Sequence, residues 1–380
     1  MNRETPMVFI CLIRMRHLLH VFPSFALGGS QARLVKLVDH FGDRYRHSIV
    51  SLTGEQAALD LIEQRWQVKM LPIKIAPGAG LLNRLDHYRQ LIRQERPNLL
   101  LTHNWGSIEW AVASAGLGVP HVEVDDGFGP EEASARLPRR SWARRLVFTL
   151  KRSRVVAPSQ TLVAVARDEW HVPADRLFYI PNGVDPARYK TIHSRPGASR
   201  FARHPDEVVV GTLAGLRPEK RLDVLIEAAA KVRQSMAIRV VIAGSGPLEG
   251  TLKQLCRTRG YEDWVDFIGF VDKPEAALRE FDVFALSSVT EQLPISMIEA
   301  MICALPVVAT DVGDVRTSLP PDQGNWVVPF SVDALAGALS DMLAHSSTRR
   351  RLGELNRAFS LTRFSAEPMF KAWQGIFDAP

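Results

Sequence analysis

Short apolar runs alternate along the first half of the chain with longer segments whose apolar residues recur every three or four positions. Runs at residues 16–22, 48–52, 99–102 and 121–124 predict buried strands, and residues 81–94 between them have helical spacing. This alternation is typical of βαβ units, in which helices connect the strands of a parallel sheet.

The same alternation starts again near Val208 and continues to about residue 310. The predicted strands are VVVGTLAGL from Val208 and residues 239–243, 266–269, 283–286 and 306–310, and the predicted helices are residues 222–232, 248–259 and 294–304. The stretch between the two series is rich in Pro, Gly, Arg and Ser, as linkers often are.

The sequence therefore predicts an α/β protein with two doubly wound, Rossmann-like domains. Its 380 residues are enough for two to three domains at roughly 150 residues each. We expect a first domain at residues 15–180, a linker at 181–204 and a second domain at 205–363, with residues 1–14 a dispensable extension. Because ligands of such sheets bind at the carboxyl ends of the strands, two facing sheets predict a ligand cleft between the domains.

Composition and charge narrow the class of protein. Hydrophobic residues make up 46% and charged residues 23%, and the mean hydropathy is −0.04, which excludes a disordered or integral membrane protein. The net charge of +6 predicts a negatively charged partner, which nucleic acid, anionic lipid and nucleotide phosphates satisfy equally. The cysteines, at positions 11, 256 and 303, lack disulfide or zinc spacing, so we expect a cytoplasmic protein.

Two carboxylates mark the segment from Ser287 to Thr310. The helix predicted after Pro294 is apolar on nearly every face, yet Glu299 lies in its middle. A buried carboxylate needs a partner, which is either an internal donor or a ligand. Glu291 lies in the loop before that helix, so the two carboxylates do not share a helical face. We expect them to bind different parts of one ligand rather than to act as a hydrolase acid and base.

Five motifs, in the same order and at similar distances, resemble the retaining glycosyltransferases of group 1, family 4. They are LGGSQ at 27–31, YIPNGVD at 179–185, RPEKRLDVLIEA at 217–228, AGSGPLEGTLK at 243–253, and an E-x7-E signature at 291–299 that continues as EAMICALPVVATDVG. The resemblance spans most of the chain. It implies the GT-B fold, in which two Rossmann-like domains face each other across a cleft and a final helix, here within residues 364–380, crosses back onto the first domain.

The resemblance also implies a reaction. A sugar would move, with retention of its anomeric configuration, from a nucleotide-diphosphate sugar to an acceptor hydroxyl, without a cofactor or a metal. We expect the acceptor to be a saccharide, and in particular a lipid-linked one in exopolysaccharide or cell-envelope polysaccharide synthesis. The rival interpretations are a catalytically silent partner subunit that binds sugar or nucleotide and, on the same fold, a nucleotide-sugar epimerase or phosphorylase.

In the family, the second domain binds most of the donor. Glu299 matches the carboxylate that accepts hydrogen bonds from the ribose hydroxyls, and Glu291 matches the catalytic acid near the hydroxyls of the donor sugar. The backbone amides of Leu293, Ile295 and Ser296 come at the start of a helix, which attracts the sugar or the diphosphate because helix N-termini favour anions.

Basic and glycine residues complete the expected donor site. Lys220 matches a phosphate-binding lysine that offsets charge on the leaving diphosphate, unless it is merely an exposed lysine at a helix start. Gly215 stands where the family has an arginine, and Arg217 is the candidate to replace it. Gly28 and Gly29 would let the backbone of the first domain approach the diphosphate, unless they form an ordinary turn.

The acceptor-side candidates follow two strands of the first domain. Many relatives have a histidine where this chain has Asp126, so Asp126 is a candidate catalytic group that orients the acceptor hydroxyl or takes its proton, with Asp125 beside it. His103 follows another strand and is expected to line the same cleft. The alternatives are that the aspartates only shape a glycine turn and that His103 is structural.

Residues 136–154 read RLPRRSWARRLVFTLKRSR, with eight basic residues and no acidic one. Aromatic and aliphatic residues among them suit an anionic membrane surface, so we expect peripheral contact with the inner face of the cell membrane. The alternative is a solvated helix whose apolar side packs on the first domain. No nucleic-acid-binding motif is present, so no nucleic acid partner is expected.

Overall fold

A computed structural model describes residues 15–73, 75, 78–128, 132, 136–189, 201 and 203–380 of the chain. The predicted extension at 1–14 and half of the predicted linker lie outside the described residues. Within the described ranges, the chain forms two α/β domains, each built on a parallel sheet.

The first domain has a sheet of seven parallel strands in the order β3-β2-β1-β4-β5-β6-β7. The strands are β1 Arg16–Phe22, β2 Tyr45–Ser51, β3 Val68–Leu71, β4 Leu99–His103, β5 His121–Val124, β6 Arg154–Ala157 and β7 Leu177–Tyr179. The helices that connect them are α1 Gly29–Phe41, α2 Leu81–Glu95, α3 Ile108–Ala113, α4 Pro138–Lys151 and α5 Gln160–Asp168. The five inner strands are almost wholly buried because helices cover both faces of the sheet, whereas the edge strands β3 and β7 are only partly buried.

The second domain has a sheet of six parallel strands in the order β10-β9-β8-β11-β12-β13. The strands are β8 Val208–Leu213, β9 Ile238–Ala243, β10 Val265–Gly269, β11 Val283–Leu286, β12 Val307–Thr310 and β13 Val327–Val328. The helices are α6 Leu222–Arg233, α7 Glu249–Arg259, α8 Pro274–Leu278, α9 Ile295–Ile302, α10 Val332–Ala344 and α11 Ser346–Arg363, followed by the last helix of the chain, α12 Ala366–Asp378.

The predicted fold class is confirmed, since both domains are doubly wound parallel sheets. The strands that the sequence predicts are present, with ends displaced by at most a few residues. In each sheet the strand that comes first in the chain, β1 or β8, is an inner strand. Each domain therefore has a switch point at which the connections reverse direction. None of the described helices combines the length and the apolar character that a membrane span requires.

The last helix, α12, returns from the second domain to the first. Trp373, Ile376 and Phe377 are buried against strand residues of the first sheet, including Leu18 of β1. The C-terminus of α12 is held by Asp378, whose carboxylate accepts a hydrogen bond of 2.7 Å from the Tyr45 hydroxyl. The core of the first domain is therefore completed by residues from the other end of the chain.

The chain crosses between the domains twice, and the two crossings touch. The carbonyl of Val184, in the first crossing, accepts a hydrogen bond of 3.1 Å from the amide of Ala366 in the second. The Val184 amide donates one of 2.9 Å to the carbonyl of Phe364. Gly183 lies so close to the second crossing that an added methyl group would be 2.8 Å from Cα of Ala366. No larger residue fits there without moving the backbone of one crossing.

This close approach predicts the effect of a single methyl group. Gly183→Ala should lower the free energy of unfolding by about 1–3 kcal/mol, because the two crossings must separate. Gly375→Ala is the matched control, since Gly375 lies on an exposed face of α12 with nothing near its added methyl group. The control should be neutral or more stable by about 0.5–1 kcal/mol. Denaturant unfolding of both variants measures this, and equal stabilities would show that the crossings separate without cost.

Candidate active site

Two helices from different domains begin opposite each other in the cleft. Helix α1 begins at Gly29 and α9 at Ile295, and a methyl group added at Gly29 would lie 3.8 Å from Cδ1 of Ile295. Neither helix has an acidic residue in its first turn. Because first-turn amides have no acceptor within the helix and the helix N-terminus carries partial positive charge, this part of the cleft favours an anion.

An ion pair lies at the carboxyl edge of the second sheet. Nζ of Lys220, after β8, is 2.5 Å from Oε1 of Glu291, after β11, and the Ser288 hydroxyl donates to the same oxygen at 2.7 Å. The two loops are also joined through their backbones, since the Val289 amide donates to the Glu219 carbonyl. Strands β8 and β11 are neighbours, so their carboxyl ends bring Lys220 and Glu291 together.

A small cavity opens beside this pair. It is lined by Thr212, Leu213, Ala214, Lys220, Leu222, Leu286, Ser287, Ser288, Glu291 and Ser296. Most of these residues lie at or just after the carboxyl ends of β8 and β11, and Ser296 comes from the first turn of α9. The cavity thus combines a cation, a carboxylate, hydroxyl groups and a helix N-terminus. Within the described ranges, His, Cys, Asp and Glu side chains form no group of three arranged to hold a metal ion.

Arg217 lies over Gly215, the position at which the family's arginine is missing. A methyl group added at Gly215 would be 3.7 Å from Nε of Arg217 and 3.9 Å from its Cδ and Cγ. Nη2 of Arg217 donates a hydrogen bond of 3.0 Å to the carbonyl of Leu27 in the other domain. The guanidinium therefore lies next to the turn that contains Gly28, which is the N-cap residue of α1.

Gly313 fixes the position of the loop that carries Glu291. It has a φ of +52°, and an added Cβ would be 2.0 Å from the carbonyl oxygen of Glu291. The next residue, Asp314, donates its amide to the carbonyl of Gln292 at 3.0 Å. Since a side chain at position 313 would displace this backbone, the glycine holds the carboxylate-bearing loop against the end of β12.

Glu299 is buried in α9 and its nearest charged partner comes from the other domain. Its Oε1 is 3.7 Å from Nζ of Lys36, which lies on α1 two turns after the glycine turn. The Lys36 nitrogen is itself buried and has no hydrogen-bond partner in the described part of the chain. A cation and a carboxylate that are close but not hydrogen-bonded leave donor and acceptor capacity for a third group.

Three further contacts hold the loops that follow β11 and β12 against the other side of the cleft. The Asp314 carboxylate accepts hydrogen bonds from the amides of Gln160 and Thr161, at 2.5 and 3.0 Å, and thus caps the N-terminus of α5 from the other domain. The other two are Asn182 Nδ2 to the Leu293 carbonyl, at 2.9 Å, and the Ser159 hydroxyl to Gln292 Oε1, at 2.5 Å.

Asp126 is bound by a buried arginine of α1. Arg33 donates to both of its carboxylate oxygens, at 2.5 and 2.8 Å, and is buried beneath it. The Asp126 amide donates to the side-chain oxygen of Asn104 at 2.8 Å. The same guanidinium contacts the linker residue Asn182 and lies 5.5 Å from the centre of the Trp373 ring. Asp126 thus faces the cleft with its charge already paired.

Asp125 points away from the cleft and into the first domain. It is fully buried, its Oδ1 accepts a hydrogen bond from the Gly127 amide, and its Oδ2 is 3.4 Å from Nε of Arg144. Burial raises the pKa of Asp125, and the charge of Arg144 opposes this rise. The contact with Gly127 is the one expected if the aspartate shapes a glycine turn, and the role of Asp125 toward an acceptor stays a prediction.

His103 lies inside the first domain, at the end of a row of buried histidines. Its Nε2 is 3.3 Å from Nδ1 of His20, whose Nε2 is 3.1 Å from Nδ1 of His47, and its ring stacks on Phe22 at 3.7 Å. Burial lowers the pKa values of all three histidines, and that of His47 falls to about 4. The histidines are therefore neutral at physiological pH.

The histidine row predicts a pH dependence of stability. In the unfolded chain these histidines take up protons near pH 6.5, whereas folded His47 stays neutral down to about pH 4. Protons then favour the unfolded state, so the free energy of unfolding should fall as the pH drops from about 6.5 to about 4. His47→Leu should reduce this slope by up to about 1.4 kcal/mol per pH unit.

The measurement is denaturant unfolding of the wild type and the variant at a series of pH values. The matched control is His345→Leu, because His345 is exposed at the start of α11 and should leave the slope unchanged. An identical slope in His47→Leu and the wild type would contradict a neutral, buried histidine at position 47.

The structure places all the donor-side candidates at the cleft between the domains, whereas the acceptor-side candidates differ from one another. Only Asp126 faces the cleft. Four further residues at the cleft were not among those predicted from the sequence, and they are Arg33, Lys36, Asn182 and Asp314. The sequence carried a signal for the first two, because they lie three positions apart on the helix that follows the glycine turn.

Comparison with known proteins places the chain in a family. Residues 27–188 match the model of glycosyltransferase family 4, and residues 198–359 match the model of glycosyl transferases group 1. The chain belongs to the group 1, family 4 glycosyltransferases. The predicted family is thereby confirmed.

Curated relatives of this family member include proteins of polysaccharide synthesis. A putative colanic acid biosynthesis glycosyltransferase, WcaL, of Escherichia coli is 31% identical over 56% of this chain and 53% of its own length. The poly(ribitol-phosphate) alpha-N-acetylglucosaminyltransferase of Staphylococcus aureus is 24% identical over 53% of this chain and 41% of its own length. The chain spans about half the length of the curated relatives it matches.

Solved structures show the same fold over nearly the whole chain. HepE of Anabaena, in complex with UDP and glucose, has a TM-score of 0.79 at 19% identity and covers 95% of this chain and 99% of its own. TarM of Staphylococcus aureus, in a complex that contains UDP, has a TM-score of 0.73 at 14% identity, with 96% and 100% covered. At these identities the likeness concerns the fold, which is that of GT-B glycosyltransferases.

Proposed function

We propose that the chain transfers a sugar from a nucleotide-diphosphate sugar to an acceptor hydroxyl, with retention of configuration and without a metal ion. The observation that carries the proposal is the meeting of two helix N-termini with Lys220 and Arg217 in one cleft. Each domain supplies one of the helix N-termini, and these positive groups together can bind the two negative phosphates of a diphosphate. The solved neighbour HepE, which binds UDP and glucose, supports a nucleotide sugar as the donor.

Lys220 and Glu291 have complementary roles in this proposal. Before the donor binds, each neutralises the other's charge at 2.5 Å. When the donor enters, the ammonium group turns to the diphosphate, and the carboxylate is left to accept hydrogen bonds from the hydroxyls of the donor sugar. Lys220 and the helix N-termini then stabilise the charge that develops on the leaving diphosphate as the glycosidic bond breaks.

Glu299 is proposed to bind the ribose of the donor. A ribose has two neighbouring hydroxyl donors, and Glu299 has carboxylate oxygens that Lys36 approaches only to 3.7 Å. Because Lys36 and Glu299 belong to different domains, their pairing requires the domains to lie together as they do here. Donor binding and closure of the cleft would thus favour each other, and closure excludes water as a competing acceptor.

The acceptor is proposed to be a saccharide, and specifically a lipid-linked one used in exopolysaccharide or cell-envelope synthesis. Two curated relatives, named as a putative colanic acid biosynthesis glycosyltransferase and a poly(ribitol-phosphate) alpha-N-acetylglucosaminyltransferase, support an envelope polysaccharide. Asp126 is proposed to orient the acceptor hydroxyl, because it is partly exposed and both of its oxygens are held in place by Arg33. In a retaining reaction the departing phosphate can then take the proton.

Donor binding is tested first by thermal shift. UDP-, GDP-, dTDP- and ADP-sugars are each added to the purified chain, and one nucleotide class should raise the unfolding temperature by a few degrees. At about 100 times the dissociation constant, a bound ligand adds about 2.7 kcal/mol to the free energy of unfolding. Glu299→Ala should lose the shift because the ribose hydroxyls lose their acceptor.

The matched control is Glu354→Ala, which removes an exposed carboxylate of α11 in the same domain and should keep the full shift. A nucleotide sugar that stabilises the Glu299→Ala variant as much as the wild type would contradict ribose binding at Glu299. If no nucleotide sugar shifts the wild type, the donor site as proposed is wrong.

Turnover is tested with the donor that gives the shift. Release of the nucleoside diphosphate, with water or an added saccharide as acceptor, should fall by about a hundredfold or more in Glu291→Gln, because a neutral amide cannot replace the paired carboxylate. Glu354→Gln should have the wild-type rate. Retention predicts, by NMR, a product with the anomeric configuration of the donor, and metal independence predicts an unchanged rate in EDTA.

The same assay distinguishes a transferase from the rival function, a silent partner subunit. A silent partner subunit would bind the nucleotide sugar without releasing diphosphate, and Glu291→Gln would then change nothing in the assay. Inverted configuration in the product, or a rate abolished by EDTA, would contradict the retaining or the metal-independent part of the proposal separately.

A further inference from the structure

Helix α4 has an outer face that no part of the described structure covers. Trp142, Leu146 and Leu150 are four residues apart and are 64%, 42% and 75% exposed. At about 100° per residue they form one stripe along the helix. Arg139, Arg145 and Thr149 fall on the same side by this geometry, and all three are exposed. We call these six residues the outer face of α4.

The charge on this face is of one sign. Arg139 and Arg145 have no acidic partner in the part of the chain that the structure describes, and neither has Arg152, which follows the helix. No acidic residue occurs between positions 136 and 154. The outer face therefore offers large apolar side chains and unpaired guanidinium groups together, whereas a solvated helix face is usually covered with charges of both signs.

The opposite face of α4 holds the segment that follows β5. Arg144 is buried, lies 3.4 Å from Oδ2 of Asp125 and 3.8 Å from Oε2 of Glu132, and packs over the rings of Trp105 and Trp170 at 4.9 and 4.7 Å. Arg140 donates to Glu132 at 3.1 Å. The helix is thus joined directly to the turn that contains Asp125 and its neighbour Asp126.

We propose that the outer face of α4 docks on an anionic lipid bilayer, with Trp142, Leu146 and Leu150 in the interface and the arginines at the headgroups. The proposal rests on the proposed function in one respect, which is that the acceptor is lipid-linked. A bilayer under α4 would keep that lipid beside the helix whose inner face holds the acceptor-side turn. The acceptor saccharide would then enter the cleft next to Asp126 while its lipid stays in the membrane.

The chemistry of the face favours a bilayer over a second copy of this chain. In a symmetric dimer through α4, the same patch would meet itself, and Arg139 and Arg145 would approach the identical arginines of the other copy. That arrangement buries like charges without partners, which is costly. The headgroups of an anionic bilayer neutralise the arginines, and the tryptophan and leucines insert just below the headgroups.

The experiment is sedimentation of the full chain with vesicles. The wild type should bind vesicles of phosphatidylcholine and phosphatidylglycerol and should not bind phosphatidylcholine alone. Trp142→Ser/Leu146→Ser/Leu150→Ser should lower the bound fraction on anionic vesicles by about tenfold or more, and Arg139→Gln/Arg145→Gln should lower it less but measurably. Leu355→Ser/Leu361→Ser, at exposed leucines of α11, is the matched control and should bind as the wild type does.

Thermal unfolding and the nucleotide-sugar shift are measured on the same samples. Both should be unchanged in the triple variant, because the substituted side chains are exposed and lie outside the cleft. A wild type that ignores anionic vesicles, or a triple variant that binds them as the wild type does, overturns the proposal. A dimeric wild type that becomes monomeric in the triple variant also overturns it, in favour of a contact between copies. Failure of vesicle binding with an intact nucleotide-sugar shift would leave the proposed transfer reaction standing.

Discussion

In a parallel sheet, every helix that follows a strand begins at the carboxyl edge, and this constraint decides where positive charge collects in the molecule. Each domain turns that edge toward the other. The N-termini of α1 and α9 therefore meet in the cleft, where Gly29 lies beside the side chain of Ile295. Lys220 adds a full charge at the same place because β8 and β11 are neighbours in the second sheet. The sheet topology by itself thus predicts a site that favours anions, whichever side chains line it.

Three of the contacts across the cleft have a common form, in which a side chain hydrogen-bonds to backbone groups on the other side. Asp314 caps α5, Asn182 binds the Leu293 carbonyl, and Arg217 binds the Leu27 carbonyl. Such hydrogen bonds are directional and form only when the domains are in register. The touching crossings at Gly183 limit how far the domains can separate. The two crossings therefore form a closely packed connection between the domains, and these polar contacts join the domains across the rest of the interface. A ligand that binds both domains would strengthen this interface.

The sequence predicted the features that depend on neighbours along the chain. The parallel sheets, the glycine turn and the carboxylate-bearing loop before α9 all follow from local patterns, and the structure contains them. It did not predict contacts between domains, such as Lys36 with Glu299 or Arg33 with Asp126, because these depend on how two folded units close. Strands of two or three residues, such as β7 and β13, are also too short to show a period. His103 shows the same limit. The sequence predicts that it lies at the end of a strand, but it does not predict that its side chain is buried.

The turn that carries Asp125 and Asp126 is built differently from the site around Lys220 and Glu291. Its charges are buried, and a buried ion pair costs about as much in desolvation as it gains, so Arg144, Asp125 and Glu132 contribute more to geometry than to stability. What they fix is the angle between α4 and the turn that carries Asp126. Because α4 has an exposed apolar stripe on its other side, the position of that stripe relative to the cleft is also fixed. A surface that contacts α4 is therefore held at a constant distance from Asp126, and the buried charges set that distance.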